Sequence, residues 1–152
     1  MDAIDRSLVA LLQGNARLSY AELARQVGLS APAVHERVGK LESSGVIRAY
    51  RAEVEPESIG LGVTALISIV EDSGGDTDDV LEAFRRMPEI ESCYFMAGVE
   101  SFLLKARVGT IAELEQLIVR LNRTPGVAST RTGIALSTKW ENRPQTIEPP
   151  TA

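Results

Sequence analysis

The chain has one cysteine and one histidine in 152 residues. A single cysteine excludes an intrachain disulfide. One Cys and one His far apart do not make the several-ligand set that a zinc site wants. No apolar run reaches the ~18–20 residues of a membrane-spanning helix. No nucleophile stands beside a base and no glycine-rich loop suits a phosphate, so an enzyme is a poor reading. The paired acids Asp78 and Asp79 read as a helix N-terminus favoured by the helix dipole, not as an acid/base couple. The opening MDAIDRSLVALL puts acids ahead of its apolar stretch and has no basic leader. A signal peptide is therefore not expected, and a reducing cytoplasm is the expected setting. Cys93, between Ser92 and Tyr94-Phe95 in a strand-like stretch, is expected to be a buried, inert thiol.

What is present is globular. Hydrophobic residues make up 44% and charged residues 24% of a chain long enough for one domain or two small ones. The net charge of −5 argues at first against nucleic acid. Divided after Ala52, however, the first part carries seven Lys/Arg against five Asp/Glu, a net +2, and the rest nine against sixteen, a net −7. The basic excess is modest, and it lies in the first part.

The first part reads as three helices. Ile4, Leu8, Leu11 and Leu12 give an apolar face from about Ala3 to Gly14. Ser19-Tyr-Ala-Glu22 is a capping box, and Leu23, Ala24 and Val27 face inward behind it. Gly28 permits a sharp turn. Ser30 caps a third helix with Pro32 in its first turn, Val34, Val38 and Leu41 form its buried stripe, and Gly45 ends it. Two short helices about a glycine turn make a helix-turn-helix pattern, which fits a DNA major groove.

Val46 to Val54 is β-capable, and Glu55-Pro-Glu-Ser58 breaks it. From Val63 the period changes. A strand over 63–70 precedes a helix over 77–87, strands over 90–97 and 102–108, a helix from a second capping box at Thr110-Ile-Ala-Glu113 to about Arg123, and an extended stretch over 127–139. The order β-α-β-β-α-β is the ferredoxin-like split unit. The expected fold class is α+β. A winged-type helix-turn-helix domain (1–50) and a β-strand linker (51–62) precede a βαββαβ effector-binding and oligomerisation domain (63–140). A tail (141–152), loose or docked on a partner, follows.

If Val34, Val38 and Leu41 are buried, the opposite face of the third helix carries Ala31, Ala33, His35, Glu36, Arg37 and Lys40. Arg37 is the leading candidate for a base contact, because a guanidinium can hold a guanine edge with two hydrogen bonds. Lys40 suits a phosphate. Tyr20 and the amides at the second helix's start suit another. Ser30 stands at the helix entry, and Arg17, Arg48 and Arg51 flank the groove. The plainer reading is a three-helix packing unit whose outer face is merely solvated. His35 is expected to be exposed on either reading.

Asp5 with Leu8 and Leu12, Asn15-Ala-Arg17, Glu22-Leu-Ala24, Val27-Gly-Leu-Ser30, Val34, Arg37-Val38, Leu41-Glu42 and Gly45-Val-Ile47 resemble the Lrp/AsnC, or feast/famine, transcription factors. Ala97-Gly98, Phe102-Leu-Leu-Lys-Ala-Arg-Val108, Pro125-Gly-Val127, Thr130, Thr132 and Leu136 resemble the same family's regulatory domain. The resemblance covers about residues 2–140. It implies dimers formed through the βαββαβ domain, assembly into tetramers or octamers, and binding to palindromic operators on double-stranded DNA. It further implies no cofactor, but an amino-acid or small-metabolite effector held between dimers. The residues it places at that cleft are Met96, Gly98, Val99, Glu100, Ser101, Thr130 and Thr132.

One departure matters. Many members carry Gly-Asp-Tyr-Asp where this chain has Gly98-Val99-Glu100-Ser101, so the acid is displaced by one position. A carboxylate there can hold an α-ammonium group, but its reach differs. Glu100 can equally be an ordinary turn residue in a member that answers to another ligand class or to none. The alternative to a ligand-modulated regulator is a free-standing effector-binding module that controls an enzyme through protein contacts.

Overall fold

The structure, a computed structural model, describes residues 1–74, 76–145 and 147. Contacts divide the chain into two units, Met1–Glu53 together with the segment from Trp140 onward, and Val54–Lys139.

The first unit holds α1 (Ala3–Gly14), α2 (Tyr20–Val27) and α3 (Ala31–Ser43). Each helix begins at a side-chain cap. Asp2 accepts from the Asp5 amide at 2.8 Å and Asp5 accepts from the Asp2 amide at 3.0 Å, a reciprocal box that the sequence reading missed. The Ser19 box forms as expected, with the Glu22 amide donating to Ser19 Oγ at 3.2 Å and the Ser19 amide to Glu22 Oε2 at 2.8 Å. A cap of this kind contributes about 1 kcal/mol. Behind the caps, Leu8, Val9, Leu12, Leu23, Ala24, Val34, Val38 and Leu41 form one buried cluster. Ile147 packs against that cluster, so the tail docks here on its own chain. The remaining tail positions, 146 and 148–152, lie outside the described residues, as does Gly75.

No strand lies between α3 and Val63. The expected β-strand linker over 51–62 is extended chain leading into a 3-10 turn at Pro56–Ile59, and the stretch from Val46 to Val54 joins no ladder. The three helices therefore carry no strand wing. A strand requires a hydrogen-bonded neighbour, and this segment has none among the described residues. Tyr50 anchors it instead, its hydroxyl donating to Glu42 Oε1 at 2.8 Å. Burial, then that carboxylate, pushes the Tyr50 phenol up to about 12.

The second unit runs β1 (Val63–Glu71), α4 (Thr77–Arg85), β2 (Ile90–Phe95), β3 (Phe102–Val108), α5 (Ile111–Asn122) and β4 (Val127–Ala135). The sheet is antiparallel with order β2-β3-β1-β4, the ferredoxin-like arrangement. Ala65, Ile67 and Ile69 of β1 alternate inward with Phe102, Leu104, Ala106 and Val108 of β3. They meet Val80 and Phe84 of α4 and Leu114, Leu117 and Leu121 of α5. β4 stops at Ala135 rather than Lys139: Thr64↔Ala135 is its last pair, one residue from the start of β1. Thr110 caps α5, but Glu113 reaches past it to accept from the Gly109 amide at 2.7 Å, so this is not the reciprocal box that was expected.

Cys93 is exposed, contrary to the sequence reading. β2 is an edge strand paired only with β3, and α4 leaves an open groove beside it, about 340 Å³, lined by Leu81, Phe84, Ile90, Cys93 and Phe95. Partial burial still pushes the thiol above its usual range, which disfavours the thiolate at neutral pH.

Candidate nucleic-acid interface and effector loop

The α2–α3 turn is set by Gly28, whose φ of +72° is the left-handed conformation that a side chain disfavours. The Leu29 amide closes the turn on the Ala24 carbonyl at 3.0 Å. Ser30 Oγ accepts from the Ala33 amide at 3.4 Å, and Pro32 occupies the first turn without needing a donor. With Val34, Val38 and Leu41 buried, Pro32, Glu36, Gly39, Lys40 and Ser43 are exposed on the other side of α3.

The proposed contact residues do not all share that side. Ala31 packs against the buried cluster rather than facing outward, because it lies nearly in line with Val34 and Val38 around the helix. Ala33 is half-buried. His35 is exposed at the flank and meets the Tyr20 ring edge-on, with centroids 4.9 Å apart. Arg17, Ser30, Lys40, Arg48 and Arg51 are exposed, and Tyr20 is partly so. Arg25, exposed in the last turn of α2, was not singled out from sequence. Its signal was its position just before the Gly28 turn.

Arg37 is half-buried and committed within the chain. Its Nη1 donates to Asp2 Oδ2 at 2.7 Å and to Asp5 Oδ1 at 2.8 Å, tying α3 to the start of α1. The Asp5 amide, then Arg37, holds the Asp2 carboxyl below the usual carboxylate range. A lowered carboxylate pKa adds stability above the unfolded value, near ~4, and that stability is lost as pH falls through the folded value. Arg37→Ala is therefore expected to lower the melting temperature of the first unit at pH 7. The gap to wild type narrows as pH falls from ~4 and closes only below the lowered folded value, where Asp2 is protonated in both proteins. Calorimetric melts in steps from pH ~7 down to pH ~2 check this, and a gap that stays equal throughout would place Arg37's contribution elsewhere.

In the second unit, residues 96–101 form a closed loop. The Met96 amide donates to the Ser101 carbonyl at 2.8 Å, and the Ser101 amide to the Ile69 carbonyl at 2.8 Å. Gly98 has a φ of +144°, a conformation that favours glycine. Val99 is 81% exposed, and Met96 beside it is partly exposed. Glu100 is ion-paired to Arg131 of β4. Directly opposed residues share a sheet face. Thr130 and Thr132 stand opposite Ile69 and Ile67 and so lie on the helix side, whereas Arg131 stands opposite Ser68 on the other face. The side chain brought to the loop is Arg131, which the sequence reading passed over. Its signal was the alternation itself, since a one-residue step along β4 changes the face.

The capped helix pair, the left-handed glycine turn and the solvent-facing α3 define a helix-turn-helix DNA-binding protein. The model of the AsnC-type helix-turn-helix domain matches residues 1–42, and that of the Lrp/AsnC ligand binding domain matches residues 63–145. The HTH-type transcriptional regulator LrpA of Mycobacterium tuberculosis is 39% identical over 143 residues, 94% of this chain and 95% of that protein. Among solved structures, the feast or famine regulatory protein of M. tuberculosis complexed with L-methionine superposes with a TM-score of 0.89 at 39% identity, covering 95% of this chain and 97% of that one. Escherichia coli AsnC superposes with a TM-score of 0.86 at 31% identity, covering 98% and 99%. The chain belongs to the Lrp/AsnC family and is a helix-turn-helix transcriptional regulator.

Proposed function

We propose that the protein is a cytoplasmic, sequence-specific regulator that binds a palindromic operator as a homodimer or a higher assembly of dimers. An amino acid or related metabolite modulates its assembly or DNA affinity. The observation that carries the reading is the joining, in one chain, of an exposed recognition helix to a separate unit with an ion-paired loop. Ser30 at the cap of α3 and Ala33 and Lys40 on the helix face the operator; Arg17, Tyr20, Arg25 and Arg48 serve its phosphates, and His35 stands at the edge. Arg37 acts as a clamp. The sheet face not covered by α4 and α5 supports pairing of copies, since Leu66 is 46% and Tyr94 56% exposed there. No helix among the described residues is long and apolar enough to cross a membrane.

Loop 96–101 with Arg131 supports a zwitterionic effector. Glu100 suits an α-ammonium group, Arg131 an α-carboxylate, and Met96 and Val99 an apolar side chain. A ligand binding only the folded state at about a hundred times its Kd stabilises by about 2.7 kcal/mol. Screening the twenty amino acids by thermal shift should yield a hit that raises Tm in wild type and is lost in Glu100→Ala and Arg131→Ala. The same amino acid should change affinity for the gene's own upstream duplex, measured at two salt concentrations against random duplex. A shift retained in both variants would move the effector site elsewhere, and equal affinity for both duplexes would end the regulator reading.

A further inference from the structure

The outer face of α3 has a short inventory. Glu36 lies about 200° around the helix from Val34, on the side away from the core. Its neighbours Pro32, Ala33, Gly39 and Ser43 are short, so Glu36 and Lys40 are the long side chains of that face, with Arg37 turned back to Asp2 and Asp5. The long side chains that the outer face of α3 can send deep into a major groove are these two. Lys40 Nζ donates to Glu36 Oε1 at 2.7 Å, and both side chains are well exposed, at 74% and 69%. Glu36 Oε2 takes no hydrogen bond from the described residues.

We infer that Glu36, steadied by Lys40, reads the N4 amino group of a cytosine in each half-site of the operator. An ionised carboxylate only accepts hydrogen bonds. In the major groove guanine offers N7 and O6 acceptors and thymine an O4 acceptor, all of which repel it. The donors are cytosine N4 and adenine N6. Adenine places its N7 acceptor beside N6, where it opposes a carboxylate, whereas the edge of cytosine beside N4 carries no such acceptor. Lys40 offsets the negative charge that would otherwise be driven off by the phosphates. It also holds the Glu36 carboxyl below its usual range, so the acceptor stays ionised at neutral pH. A carboxylate on the reading face costs non-specific affinity, so its place there is one of discrimination.

The inference rests on the operator-binding reading above, and one experiment separates the two. Full-length wild type, Glu36→Gln and Glu36→Ala select from a pool of randomised duplexes, and enriched sequences are counted. Wild type should enrich cytosine at one position in each half of a two-fold symmetric site. Glu36→Gln should move that position to adenine, because an amide pairs with both N6 and N7. Glu36→Ala should level the bases there, losing about tenfold discrimination, with the other positions unchanged. A cytosine preference kept by both variants overturns the role of Glu36 and leaves the regulator intact. Uniform loss of preference with a lowered melting temperature shows that Glu36 acts only through the stability of α3, which also overturns it. A wild-type chain that enriches no sequence overturns both readings.

Discussion

Leu8→Ala is expected to unfold the first unit and abolish operator binding while the second unit stays folded. Leu8 is fully buried within the cluster formed by α1, α2 and α3. Removing such a side chain costs about 2–5 kcal/mol, through lost transfer energy and the cavity left behind. A core of this size supplies a net of only about 3–5 kcal/mol. The loss therefore matches the whole stability of the unit. The second unit has its own buried cluster, which shares no residue with the first. Amide exchange read residue by residue should show protection lost across α1, α2 and α3 and kept in β1 and β3, with no shifted band in an operator gel. Retained protection in α3 together with wild-type binding would show that the first unit draws its stability from elsewhere.

Phe102→Ala is expected to have the opposite signature. Phe102 is fully buried on β3, which pairs with both β1 and β2. It meets the Phe84 ring edge-on at 5.6 Å and the Phe95 ring at 5.3 Å. Truncating such a phenylalanine costs about 3–5 kcal/mol. In a unit of this size each kcal/mol moves Tm by roughly 4–8 °C, so its transition should fall by about 12 °C or more. The helices of the first unit remain intact. If copies pair through the sheet as proposed, pairing should be lost with it, and operator affinity should fall by the ~10²–10⁴-fold that linkage of two weak binding modules supplies. Calorimetry, sedimentation and operator titration together check the chain of consequences. Wild-type operator affinity above the melting point of the second unit would remove that unit from operator binding.

Sequence alone settled what depends on local chemistry and period. The Ser19 box, the Gly28 turn, the Ser30 cap and the stripe Val34-Val38-Leu41 are decided by neighbours three or four residues away, and the structure places them where spacing put them. The strands β1 and β3, and the helices between strands, were legible for the same reason, while the alternation of their buried side chains came from the structure. What depends on distant partners was not. Val46 to Val54 has strand composition but no ladder, and Cys93 has apolar neighbours but sits on an edge. Arg37 looked like a free reader of bases until Asp2 and Asp5, more than thirty positions away, were found to hold it. Arg131, not Thr130 or Thr132, meets Glu100, because the register of β4 against β1 sets which side chains share a face. Local sequence fixes which elements form, since propensity, caps and period act within a turn or two of chain. Only the tertiary structure decides which charges are already paired, and so which remain for DNA and effector, because ion pairs across the fold join residues that sequence separation keeps apart.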